Sequence, residues 1–156
     1  NLNLNISIPK IKGKLSTLII SIVFITITML MGAIVSKSGS SLACDIWPLC
    51  SNDGLSIFQY NKFIHISHRV LAIISAICIY FVVKVYRDTR QYKLIYSLLN
   101  ILVAVIVLQI LIGATVIFTE LNMYIAMLHQ SLAVILFMML SFLFWFTLQI
   151  NYKNKY

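Results

Sequence analysis

The stretch FIHISHRVLA sets His65, His68 and Arg69 where a long apolar run begins, and a second run, AMLHQSLAVILF, carries His129. Two imidazoles brought to one place can ligate a single metal. An iron porphyrin, flat and largely apolar, fits the core of a helical bundle between two such ligands. Ionisable groups within a membrane are costly and usually functional, which favours ligation by His68 and His129 over a hydrogen bond from each ring to a neighbouring helix. Cys44 and Cys50 form a second candidate pair in LACDIWPLC. A Cys-x5-Cys spacing is readily bridged when the Cα atoms are about 5.5 Å apart, and Trp47-Pro48 stiffens the turn between them. A structural staple and a redox couple are both open on spacing alone. Cys78 stands by itself in an apolar run.

The elements that must position these groups follow from composition. Of 156 residues, 61% are hydrophobic and 10% charged, and the mean hydropathy is +0.97, far outside the range of a soluble domain. Four runs are long enough to cross roughly 30 Å of hydrocarbon, at about 15–35, 63–86, 94–118 and 123–150. The expectation is a single all-α membrane domain, a four-helix bundle. Gly32, Gly113 and the hydroxyl residues of the first run read as ordinary sites of close helix approach. No internal repeat stands out.

The net charge of +8 follows the membrane topology rather than a nucleic-acid partner. Lys10, Lys12 and Lys14 precede the first span, Lys84, Arg87, Arg90 and Lys93 join the second to the third, and Lys153 and Lys155 follow the fourth. The other connections hold only Lys37 and Lys62 beside Asp45, Asp53 and Glu120. By the positive-inside rule, both termini and the middle loop face the cytoplasm. The cysteine loop, about 36–62, and the turn near Glu120 then face outward, where disulfides persist. The first apolar run exceeds the roughly 7–15 residues of a leader core, so it is expected to remain as a span.

Depth links the histidines. His68 lies about five residues into the second run and His129 about six into the fourth, both some 8–10 Å below the outer boundary at 1.5 Å per residue. They share one level. His65 and Arg69 fall i,i+4 on one helix face and make a cationic patch beside His68. Arginine can fork around a haem propionate there, or its charge can snorkel to lipid phosphate. Among six methionines, Met127 is nearest to an axial position, although flexible core filling is the ordinary role of methionine.

In order along the chain, GAIVSKSGSSLACDIWPLC, HISHRVLA, QILIGATVIFTEL and LHQSLA resemble the signatures of haem A synthase, the membrane enzyme that converts haem O to haem A. The likeness runs from about Gly32 to Ala133, and its most specific part is the cysteine loop followed by a His-Arg pair at the head of the next helix. It implies that His68 and His129 ligate haem, with haem b or the substrate haem O as the bound group. It likewise matches Cys44 and Cys50 to the family's loop cysteines. Family members commonly carry a glutamate three residues before the His-Arg pair, where this chain has His65, and an arginine where Ser36 and Lys37 stand. His65 can relay a proton in place of that carboxylate, since its ordinary pKa is near neutrality.

The resemblance implies stepwise oxidation of one haem O methyl group to a formyl group in the cell membrane. Typical members have eight spans in two similar halves, and this chain resembles the amino-terminal half. It also implies a homo-oligomer and contact with a haem O synthase or terminal oxidase. A b-type cytochrome or haem-carrying electron-transfer subunit is the alternative, and it leaves the cysteine loop structural. A quinone-coupled thiol oxidoreductase needs a second cysteine pair, which Cys78 alone does not supply. A purely structural subunit leaves the level histidines unexplained.

Overall fold

The computed structural model describes residues 15–44, 46–48, 50, 60–87 and 93–153. Lys10, Lys12, Lys14, Asp45, Asp53, Arg90 and Lys155 lie outside the described residues, as does the loop segment 51–59. Four helices carry the chain: α1 at Leu15–Lys37, α2 at Tyr60–Tyr86, α3 at Lys93–Phe118 and α4 at Met123–Lys153. A 3-10 turn at Ser40–Leu42 follows α1, and the described residues contain no strand. Each helix is long and apolar enough to cross a membrane. Hydrocarbon leaves a spanning backbone no partner but itself, so helices are the form these runs must take. The protein is an all-α, multi-pass membrane bundle.

Two helix ends pass the apolar limits. Helix α2 begins at Tyr60, where Asn61 Oδ1 accepts a hydrogen bond from Ser40 Oγ at 3.2 Å. Helix α4 continues to Lys153.

Alternating three- and four-residue steps put one seam of each helix inward. On α1 the seam is Leu18, Ser21, Ile25, Thr28, Gly32 and Val35; all but half-buried Gly32 are buried. On α2 it runs His65, His68, Ala72, Ser75, Ile79, Val82 and Tyr86, and α3 and α4 continue the pattern through Gln109 and Gly113, and through His129 and Leu132. Packing is most extensive between α1 and α2, then between α3 and α4 and between α1 and α4, and slight between α2 and α3. The helices therefore follow one another around the bundle, with α2 and α4 on a diagonal.

The seams change character along their length. Leu18, Ile25, Ile79, Val82, Tyr86, Leu99, Leu102, Leu140 and Leu143 belong to one tight apolar core, all in the half nearer the basic middle loop. Tyr86 and Thr147 tie α2 to α4 there through a buried hydroxyl pair at 3.1 Å. The other half carries Thr28, Gly32, His68, Gln109, Gly113 and His129 on its seams. A buried Thr28–Ser75 hydroxyl contact of 2.8 Å joins α1 to α2 between the two regions.

Helix α3 ends in a tight turn in which Glu120 and Leu121 have φ values of 51° and 67°. The Leu121 amide donates to the Val116 carbonyl at 2.9 Å, a bond that closes a helix end on left-handed residues. Asn122 then caps α4, its Oδ1 accepting from the amides of Tyr124 at 3.1 Å and Ile125 at 3.4 Å.

Candidate functional site

Helix α2 carries His68 on the seam facing α1, and the bare backbone of Gly32 receives its ring. A Cβ added at Gly32 would lie 3.1 Å from His68 Cε1 and 3.5 Å from Nδ1. Helix α4 does the same against α3: a Cβ at Gly113 would lie 2.8 Å from His129 Cε1 and 3.3 Å from Nδ1. The main chain of Thr28 lies near His68 and that of Gln109 near His129, and the Nδ1 atom of each ring makes no hydrogen bond to any other group. Thr28 and Gln109 each precede the corresponding glycine by four residues. His68 and His129 are close enough across the bundle for their charges to act on one another.

These contacts expose a repeat hidden by unequal loops. GAIV with HRVLA on α1 and α2 matches GATV with HQSLA on α3 and α4. The expectation that no repeat stands out is thereby corrected. The first connection carries the cysteine loop and the second is a tight turn, so the matching segments are unevenly spaced along the chain. Gly32 and Gly113, read as general packing sites, each have one histidine to accommodate. Aligning the two His-x-x-Leu-Ala segments was the signal that could have found them.

The site fits a group that brings most of an iron's ligands with it. Among the described residues, no group of three or more His, Cys, Asp or Glu side chains forms a protein-only metal centre. Two half-buried histidines, each with a buried Nδ1 that has no hydrogen-bond partner, could instead hold the iron of a porphyrin. The glycine recesses provide the close approach that a side chain would block.

His65 lies one turn from His68 toward the cysteine loop and is only 5% exposed. It is near the Ser40 main chain, Arg69 and His68, and its Nδ1 is buried without a hydrogen bond. Cys44 and Cys50 are joined in a disulfide with Cα atoms 4.7 Å apart. Arg69 has partners that its spacing did not disclose. Its Nη1 donates to the carbonyls of Ile46 at 2.8 Å and Pro48 at 3.0 Å, and its Nη2 donates to that of Cys44 at 3.1 Å. The residue after His68 thus holds the disulfide loop against α2. Met127 is 56% exposed on the outside of α4, so it is neither an axial candidate nor a core filler. Glu120 is at the exposed α3–α4 turn.

The family model described as cytochrome oxidase assembly protein, COX15-CtaA, matches residues 6–141. The chain belongs to this family. Similar proteins include the haem A synthase of Oceanobacillus iheyensis, 34% identical over 131 residues that cover 80% of this chain and 42% of the relative. The haem A synthase of Geobacillus thermodenitrificans is 34% identical over 78% of this chain and 39% of its own length. That of Macrococcus caseolyticus is 36% identical over 76% and 40%, respectively. The chain therefore spans about two fifths of these relatives. Both histidine seats, the disulfide loop and Arg69 fall inside the matched region.

Proposed function

We propose that this chain forms a haem-binding unit of a haem A synthase, acting in oxidation of a haem O methyl group to the formyl group of haem A. The observation that carries this reading is the paired seat: His68 and His129 on diagonal helices, each against a glycine, beyond a closed apolar core. Similarity to haem A synthases supplies the substrate class. His68 and His129 would hold the iron, with haem b or haem O as the bound group. Bound haem supplies redox chemistry whose electronics depend on the axial ligands and their surroundings.

The chain's own residues bind, orient and exclude. Below the seats, the Leu, Ile and Val core keeps water from the inner half of the bundle. Above them, Arg69 draws the Cys44–Cys50 loop against α2, where its guanidinium also presents positive charge to porphyrin carboxylates. His65, buried between loop and ligand, is placed to hold or move a proton at the substrate edge. The disulfide pair is assigned to the site as a staple with redox capacity. Charge asymmetry supports an orientation with this loop on the outer face and the bundle's basic flanks in the cytoplasm. The assembly we assign is a homo-oligomer in contact with a haem O synthase or terminal oxidase.

Purification from cells that make haem O, followed by acid extraction and mass analysis of the porphyrin, tests the reading. Haem A or a hydroxylated haem O is expected, with a low-spin bis-imidazole spectrum. His68→Ala and His129→Ala should each abolish that spectrum or make it high-spin. Haem b alone, with the spectrum intact, would favour an electron-transfer cytochrome, to which the replacement of the family's glutamate by His65 also points. A spectrum unchanged in both variants would remove the ligand assignment.

A further inference from the structure

The repeated seats share one construction, from which we infer that Gly32 and Gly113 are positioning residues: each bares a main-chain carbonyl that orients an iron-ligating histidine. This rests on the haem reading above. In an α-helix, the carbonyl of residue i points toward the amide of residue i+4. The carbonyls facing Gly32 and Gly113 are therefore those of Thr28 and Gln109, the residues whose main chains lie near His68 and His129, two rings whose buried Nδ1 atoms have no other partner. Any side chain at position 32 or 113 would stand between ring and carbonyl. The rings occupy that space: the missing Cβ positions lie 3.5 Å from His68 Nδ1 and 3.3 Å from His129 Nδ1.

The remaining hydrogen bonds favour the same arrangement. The Thr28 hydroxyl donates to Phe24 O at 2.8 Å or shares its proton with Ser75 Oγ at 2.8 Å, which leaves the Thr28 carbonyl to face His68. At the second seat, Gln109 Nε2 approaches His129 Nε2 at 3.4 Å. In the orientation in which the Gln109 amide nitrogen donates, His129 Nε2 is the acceptor and the ring proton sits on Nδ1. That tautomer turns Nδ1–H toward the Gln109 carbonyl, and iron would take the Nε2 lone pair by displacing the Gln109 amide. A ligand histidine held in this way has a fixed ring orientation and greater basicity.

Gly32→Ala and Gly113→Ala, compared with Ile34→Ala on the exposed side of α1, test the assignment in purified full-length protein. Each glycine variant should lower haem affinity, by about 10–100-fold as for other losses of ligand support. The low-spin electron paramagnetic resonance signature should move and the reduction potential should rise as ligand basicity falls. Gly113→Ala should have the larger effect because its Cβ would approach the ring to 2.8 Å, against 3.1 Å at Gly32. Ile34→Ala should change none of these. Nitrogen-15 histidine spectra of the haem-free wild type provide an arm independent of how the variants fold; they should show both ligand histidines protonated at Nδ1. Wild-type resonance signature and potential in both glycine variants would overturn the inference, as would protonation of both rings at Nε2. If the wild type forms no bis-imidazole haem complex, the haem reading fails, while the nitrogen spectra still decide whether the seats select the tautomer.

Discussion

His65 is the least exposed of the three histidines, yet it stands beside the polar 3-10 turn rather than among the leucines of the core. Its placement one turn from His68 makes it too distant along the helix to take over the same iron position, but puts it at the edge of the proposed pocket. We expect His65→Ala to keep the haem spectrum and lower conversion of haem O to haem A, and His65→Glu to keep activity. Extracted-porphyrin analysis and optical spectra of the same samples measure both. Loss of bound haem in both variants, greater with glutamate, would instead make His65 a propionate partner, since a carboxylate repels a carboxylate. The sequence made His65, His68 and His129 visible by type and depth. It did not show which groups their rings meet, because those groups lie on other helices.

At the scale of elements, the two connections across the site end of the bundle use different devices. The α1–α2 connection relies on long-range ties: the disulfide, the Arg69 bonds to three carbonyls, and the Ser40–Asn61 contact. The α3–α4 connection is local, two left-handed residues followed by the Asn122 cap. Asn122→Ala should therefore destabilise the protein by about 1 kcal/mol through loss of the cap, read as a lower unfolding midpoint in matched detergent. An unchanged midpoint would show that packing of α4 alone sets its start. Helix existence was legible in the apolar runs. The start of α2 at Tyr60 was less so, since Tyr60, Asn61 and Lys62 extend the helix through contacts made by the preceding turn.

In the sequence, most basic residues fall before the first span, between the second and third, and after the fourth, whereas the proposed haem site lies toward the α1–α2 and α3–α4 connections. The positive-inside rule then predicts that Tyr124, at the α3–α4 end, faces outward and Arg87, at the end of α2, faces the cytoplasm. In a Cys78→Ser background, Tyr124→Cys should label with a membrane-impermeant maleimide applied to intact cells, and Arg87→Cys should label only after permeabilisation. The reverse pattern would invert the bundle and place the disulfide loop inside. The tight inner core and the polar, glycine-bearing outer seams also give the two halves different roles: one binds the helices together, and the other leaves the histidines close to backbone.

The sequence by itself determined four helices, the similar positions of His68 and His129 along their helices, the oxidisable cysteine pair and the resemblance in the linked motifs. Hydrophobic length and helical periodicity are properties of a continuous segment, so they could be read without knowing its neighbours. Only the tertiary structure decided that α2 and α4 lie diagonally, that Gly32 and Gly113 receive the two imidazoles, that Arg69 holds loop carbonyls and that Met127 faces outward. Spacing sets the face and height of a residue on its own helix. The facing helix, and the atoms it presents at that height, are set when side chains from all four helices compete for one shared interior.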